Sequence, residues 1–149
     1  MIPILEYIKK TKTSNYDNFY GVRVYEYKGL HLGVEVSTPH SHFVIARRDE
    51  GLYQFRELNR VARSIHSEVP TIDDWQDIAK NLTEINGCID ELGGDRIDRV
   101  DANYWSCTPA SPRYVKGMIM FEGKLIETNL PKDEYCCLYR AIVRLPINK

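Results

Sequence analysis

Arg56, Arg60 and Arg63 stand at i, i+4 and i+7, a spacing that sets three guanidiniums along one side of a helix. Arg47 and Arg48 precede that segment. Guanidinium groups grip sulfate, phosphate or carboxylate bidentately, so these five residues form the leading candidate for a polyanion-binding patch. Glu50 and Glu57 lie close in sequence, and a plain solvated helix face has the same composition. Tyr104, Arg113 and Tyr114 are the further binding candidates, in or beside a long loop expected from Gly93 to Arg113.

His40 and His42 share a face if the chain is extended there, and His31 is not far away. No carboxylate or thiol spacing completes a ligand set, so no metal site is expected. The four cysteines, Cys88, Cys107, Cys136 and Cys137, form no CxxC pair and no disulfide framework. They are expected to be reduced thiols, mostly buried. Ser106 and Cys107 lack a Gly-x-Ser-x-Gly elbow around them. Asp73 and Asp74 suit a helix start, whereas Asp98 and Asp101 share a polar stretch with Arg96 and Arg99, where mutual pairing is the default. The expectation is a protein that is not an enzyme and carries no cofactor.

The elements that must position these residues follow from periodicity. Leu30, Leu32, Val34 and Val36 alternate with polar positions, the mark of a half-buried strand. Lys28-Gly29 joins it to a stretch with Val22 and Val24, predicting a hairpin, and a further strand follows over His42 to Ala46. Phe55, Leu58, Val61, Ala62 and Ile65 predict a helix. Thr71 is placed to cap a second helix carrying Ile72, Trp75, Ile78, Ala79 and Leu82, and a short third helix ends at Gly93-Gly94. Val115 to Phe121, a turn at Glu122-Gly123 and Lys124 to Glu127 read as a hairpin. A single last strand is expected from Tyr135 to Leu145, with Cys136 and Cys137 pointing to opposite faces. Strands, then two to three helices, then strands give an α+β domain whose first and last strands pair.

One domain is expected for 149 residues, spanning 20–149, preceded by an amphipathic arm and polar linker over 1–19. Twenty basic against twenty-one acidic side chains argue against nucleic acid as a partner. No stretch reaches the roughly 18 apolar residues of a membrane span. Pro3, Glu6 and the late lysines do not fit a secretory signal, so synthesis in the cytoplasm is expected.

Three blocks carry a resemblance. Val44-Ile45-Ala46 leads into the first helix, and Val69-Pro70-Thr71-Ile72-Asp73-Asp74-Trp75 is similar to an "LPT-x-x-E-W" helix start. Tyr104-Trp105-Ser106-Cys107-Thr108 is similar to "YWSST", followed by Phe121-Glu122-Gly123 and a terminal Tyr139-Arg140-Ala141-Ile142-Val143-Arg144. Together, over about residues 40–145, these resemble the Lcl C-terminal-domain family of bacterial adhesins and of gut bacteria and their phages. The resemblance implies a C-type-lectin-like fold with a mixed or antiparallel sheet. It implies binding of protein or glycan, sulfated glycosaminoglycans included. The calcium-site tripeptides of true C-type lectins, Glu-Pro-Asn, Gln-Pro-Asp and Trp-Asn-Asp, do not occur in this sequence. The adjacent Cys136 and Cys137 do not match the separated copper-binding pair of the formylglycine-generating enzymes.

The expected function is that of a non-enzymatic binding or structural module, a capsid- or tail-associated phage virion protein that recognises protein or glycan. It would act as a homo-oligomer, with Ile4, Leu5 and Ile8 of the arm anchoring it to a partner subunit. The alternatives are a cytoplasmic metal protein or enzyme using His and Cys residues, and an inhibitor of one host protein.

Overall fold

The computed structural model describes residues 4–11, 19–26, 30–39 and 41–145. Among them the strands are β1 (Ile4–Thr11), β2 (Phe19–Glu26), β3 (Leu30–Ser37), β4 (His42–Ala46) and β5 (Gly51–Gln54), then β6 (Asn103–Pro109), β7 (Tyr114–Phe121), β8 (Lys124–Pro131), β9 (Cys136–Tyr139) and β10 (Ile142–Arg144). The helices α1 (Leu58–Ser64), α2 (Ile72–Lys80) and α3 (Leu82–Glu91) fall between β5 and β6. Two sheets result, ordered β1-β2-β3-β4-β10 and β5-β9-β6-β7-β8. All pairings are antiparallel except β6 with β9. The protein is an α+β domain, as its element order predicts.

Strands β2 and β3 pair antiparallel, as expected of a hairpin, with Val22 opposite Val34 and Val24 opposite Leu32. Residues 4–11 do not stand apart as an arm: their backbone pairs with β2 and extends the sheet. The expected anchoring by Ile4, Leu5 and Ile8 concerns side chains outside those the structure describes. The expected pairing of first and last strands takes a different form. The last strand, β10, pairs with β4, Val143 opposite Val44, and the first pairs with its neighbour β2.

Alternation along each strand divides the interior into two parts. Val34, Val36, Phe43 and Ile45 of the first sheet pack on Trp75, Ile78, Ile85 and Ile89 of α2 and α3. Tyr104, Met118 and Met120 of the second sheet close the same cluster from the other side. Trp105, one residue on, faces the opposite way and packs with Val115, Leu130 and Tyr139 under Leu58, Val61 and Ala62 of α1. The two tryptophans therefore sit on opposite faces of β6. They are joined through it: Trp75 Nε1 donates to the Trp105 carbonyl at 3.1 Å, and both rings are fully buried.

Helix α2 begins where the sequence places it. Thr71 Oγ1 accepts from Asp74 N at 3.1 Å, and Asp74 Oδ2 accepts from Thr71 N at 2.9 Å, a reciprocal cap worth about 1 kcal/mol. Asp74 also takes both terminal nitrogens of Arg144, at 3.2 and 2.7 Å, which ties the helix start to the last strand. Gly93 ends α3 with φ of 67°, the left-handed conformation expected of it.

The single terminal strand of the sequence reading breaks into β9 and β10, which belong to different sheets. Arg140 stands at the break. Its side chain is fully buried. Nε donates to Ala46 O at 2.8 Å, Nη1 to Asp49 Oδ1 at 3.0 Å and Nη2 to Asp95 O at 2.7 Å. These bonds knot the β4–β5 loop to the chain after α3. The approach is so close that a Cβ on Gly94 would stand 2.2 Å from Arg47 O, so glycine alone fits there.

Asp49 gives the knot a pH signature. Burial pushes its carboxyl above the ordinary 3.8, against the opposing pull of Arg140. A carboxyl raised in the folded state contributes stability that is fully present below its unfolded pKa and is lost as pH rises through the folded one. Relative to Asp49→Asn, the wild-type chain is therefore expected to gain stability as pH falls from neutral towards 3.8. Urea unfolding at several pH values reads this, and a difference constant over that window refutes it.

Candidate functional site

At one end of the second sheet, the β6–β7 turn and the β8–β9 connection lie side by side. Pro112 helps turn the chain, Ala110 N and Ser111 N donate to Tyr114 O, and Lys132 N donates to Arg113 O at 3.0 Å. Tyr114 opens β7 directly opposite Pro131, which closes β8. The result is a recess of about 470 Å³ lined by Arg113, Tyr114, Pro131, Asp133 and Glu134. Tyr114 is 42% exposed. Among the described residues, Arg113, Asp133 and Glu134 enter no ion pair with one another or with any other group. An aromatic face beside two acceptor carboxylates and a donor guanidinium suits a ligand with both C–H surface and hydroxyl or amide groups. Arg113 and Tyr114 were legible as candidates by type. Asp133 and Glu134 were not, because only the pairing of β7 with β8 brings them near.

The other candidates are distributed differently. Arg56, Arg60 and Arg63 are all exposed, but Arg56 belongs to a 3₁₀ turn preceding α1, so the three do not form one regular helical row. Arg56 Nε donates to Gln54 Oε1 at 2.8 Å, and Arg60 approaches Glu57 at 3.5 Å. Arg47 and Arg48 do not join them. Arg47 Nη1 donates to Leu92 O at 2.7 Å and Arg48 Nη2 to Gly93 O at 3.1 Å, so both cap the carbonyl end of α3. This corrects the five-arginine patch to three residues, and the reason is that α3 leaves carbonyls that need donors.

Tyr104 is likewise corrected. It lies on β6, not in a loop, and is fully buried with its ring 5.0 Å from that of Trp75. Burial pushes its hydroxyl pKa up, and the hydroxyl has no hydrogen-bond partner among the described residues. The long loop accordingly shrinks to the segment between α3 and β6.

The cysteines are free thiols, two of them buried and two exposed, so "mostly buried" was too strong. Cys136 and Cys137 do point to opposite faces, one exposed and one buried. Burial raises the Cys137 thiol to about 11. Cys107 edges a recess of about 300 Å³ with Arg63, Ser67 and Glu68. Its pKa is raised by partial burial, which keeps it protonated and a poor nucleophile. His42 is buried with Nε2 at 2.5 Å from Glu35 Oε2, a pairing that alternation alone would have turned to solvent at Glu35. His40 lies outside the described residues. Among the described residues no three His, Cys, Asp or Glu side chains converge on a point that could hold a metal ion. Among the described residues no helix is long and apolar enough to cross a membrane.

The chain matches no family model, no curated protein and no solved structure.

Proposed function

We propose that this chain is a non-catalytic recognition module of C-type-lectin-like architecture that binds glycan or protein in the recess between Arg113 and Glu134. The observation that carries the reading is a set of three charged side chains with no ion-pair partners among the described residues, gathered around the half-exposed ring of Tyr114. A tyrosine ring can cover the C–H face of a sugar at little entropic cost, while carboxylates accept its hydroxyls. The lectin-like part of the proposal is supported by helices placed between a strand that pairs with the chain's end and a β6–β7–β8 meander. Service on a phage particle belongs to the same proposal and rests on the sequence resemblance, whereas attachment to a partner subunit through the first strand rests on the apolar Ile4, Leu5 and Ile8 of the sequence.

An array of neutral and sulfated oligosaccharides tests it. The wild-type chain is expected to retain a subset, and Tyr114→Ala to weaken that binding by about tenfold or more, in line with the loss of one aromatic anchor. The triple change of Arg56, Arg60 and Arg63 to Glu separates the two candidate surfaces. If it abolishes binding, heparin included, while Tyr114→Ala does not, the helical arginines are the site and the recess is not. Absence of any binding refutes the glycan form of the proposal.

A further inference from the structure

The segment between α3 and β6 is tied down by hydrogen bonds at several points. Ile97 N donates to Asn86 Oδ1 at 2.7 Å, and Asn86 Nδ2 returns a bond to Ile97 O at 3.3 Å, both buried. Arg96 bridges Asp90 and Asp98. Ala102 N donates to Arg99 O at 3.1 Å, closing a tight turn, and Asp101 N is held by Met120 O at 3.1 Å. At the tip of this framework Val100 is 82% exposed, flanked by Arg99 and Asp101. Among the described residues neither flanking charge enters an ion pair. Leu52 on edge strand β5 is 59% exposed and lines, with Arg99, Val100, Asp101 and Leu138, a neighbouring recess of about 270 Å³.

We propose that this loop tip is a two-fold self-association surface whose partner is a second copy of the same chain. The charge order across the tip, positive, apolar, negative, is its own complement under a two-fold rotation. Arg99 of each copy then faces Asp101 of the other, and the two Val100 side chains meet at the axis with Leu52 beside them. A purely anionic ligand would satisfy Arg99 and leave Asp101 opposed; a cationic one would do the reverse. Only a partner carrying both signs in mirrored order answers both, and a second copy is such a partner. Because the tip is already fixed by backbone and side-chain bonds, little ordering is needed on contact. The contact is small and its ion pairs are exposed, so the dimer is weak and salt-sensitive. The surface is formed by other segments than the Arg113–Glu134 recess, so it stands apart from the recognition reading.

Analytical ultracentrifugation of the full chain over a range of concentrations tests the proposal. A monomer–dimer equilibrium that weakens with added salt is expected. Arg99→Asp places two acidic residues on each tip, and Asp101→Lys two basic ones. Each variant alone is expected to associate at least about tenfold more weakly, since like charges then face each other. Mixed in equal amounts, the two variants are expected to regain association as heterodimers, because every introduced charge meets its opposite. Thermal melting of each variant alone guards against misfolding, since residue 101 has φ of 58° and accepts a longer side chain less readily than aspartate. A wild-type chain that is monomeric throughout overturns the proposal. So does a mixture of folded variants that stays monomeric. Dimers indifferent to both substitutions but lost on removal of residues 1–15 would move the contact to the first strand and overturn it equally.

Discussion

Arg140→Met is expected to lower the unfolding free energy by about 3–5 kcal/mol, the usual cost of leaving one member of a buried ion pair without its partner. The substitution conserves much of the volume, so the loss is electrostatic and not a packing defect. Asp49 would keep a largely buried carboxylate with no counter-charge, and the Ala46 and Asp95 carbonyls would lose their donors. Arg140→Lys is expected to recover little of this, because one ammonium cannot reproduce a planar fork reaching three acceptors on two loops. Urea unfolding with a common m-value measures the change. A loss under about 1 kcal/mol would mean that the two loops hold each other without the guanidinium.

Trp75→Ala is expected to cost a similar amount, about 3–5 kcal/mol, for a different reason. Its ring is fully enclosed among α2, α3 and both sheets, so truncation leaves a cavity where no neighbour can collapse freely. Trp105→Ala should be comparable. That ring lies edge-on to Phe55 at 5.4 Å, and its Nε1 donates to Tyr53 O at 2.7 Å. Although the two rings face opposite sides of β6, a double-mutant cycle is expected to show coupling above about 0.5 kcal/mol, because the Trp105 side chain anchors the strand whose backbone carbonyl holds Trp75 Nε1. Strict additivity would show that the two halves of the interior are energetically independent.

The local elements were written in the sequence wherever a single segment decides them. Alternation marked β3 and its pairing with β2, Thr71 and Asp74 marked the start of α2, and Gly93 its neighbour's end. What was hidden depends on distant partners. Nothing near Arg140 announces that Ala46, Asp49 and Asp95 will surround it, so alternation carried one strand from β9 straight into β10. The run Tyr104-Trp105-Ser106 carried a usable signal that was read as a loop. Two large aromatic side chains in succession on a strand mean that both faces are covered, which is what β6 between two packed layers requires. The recess at Arg113 and Tyr114 was half legible: its donors and its ring stood out, while Asp133 and Glu134 are supplied by a connection some twenty residues later.

The crossing at Arg140 also sets the order in which the chain can become a protein. Among the described residues strand β9 is the sole link between β5 and β6, and β10 is the strand that returns to β4. A nascent polypeptide emerging from the ribosome can make its hairpins and helices early. It has no means of shutting either half until residues 136–144 have left the exit tunnel. Until then β5 lacks a neighbour and the indole of Trp105 lacks Tyr139 beside it, so this fold is locked late.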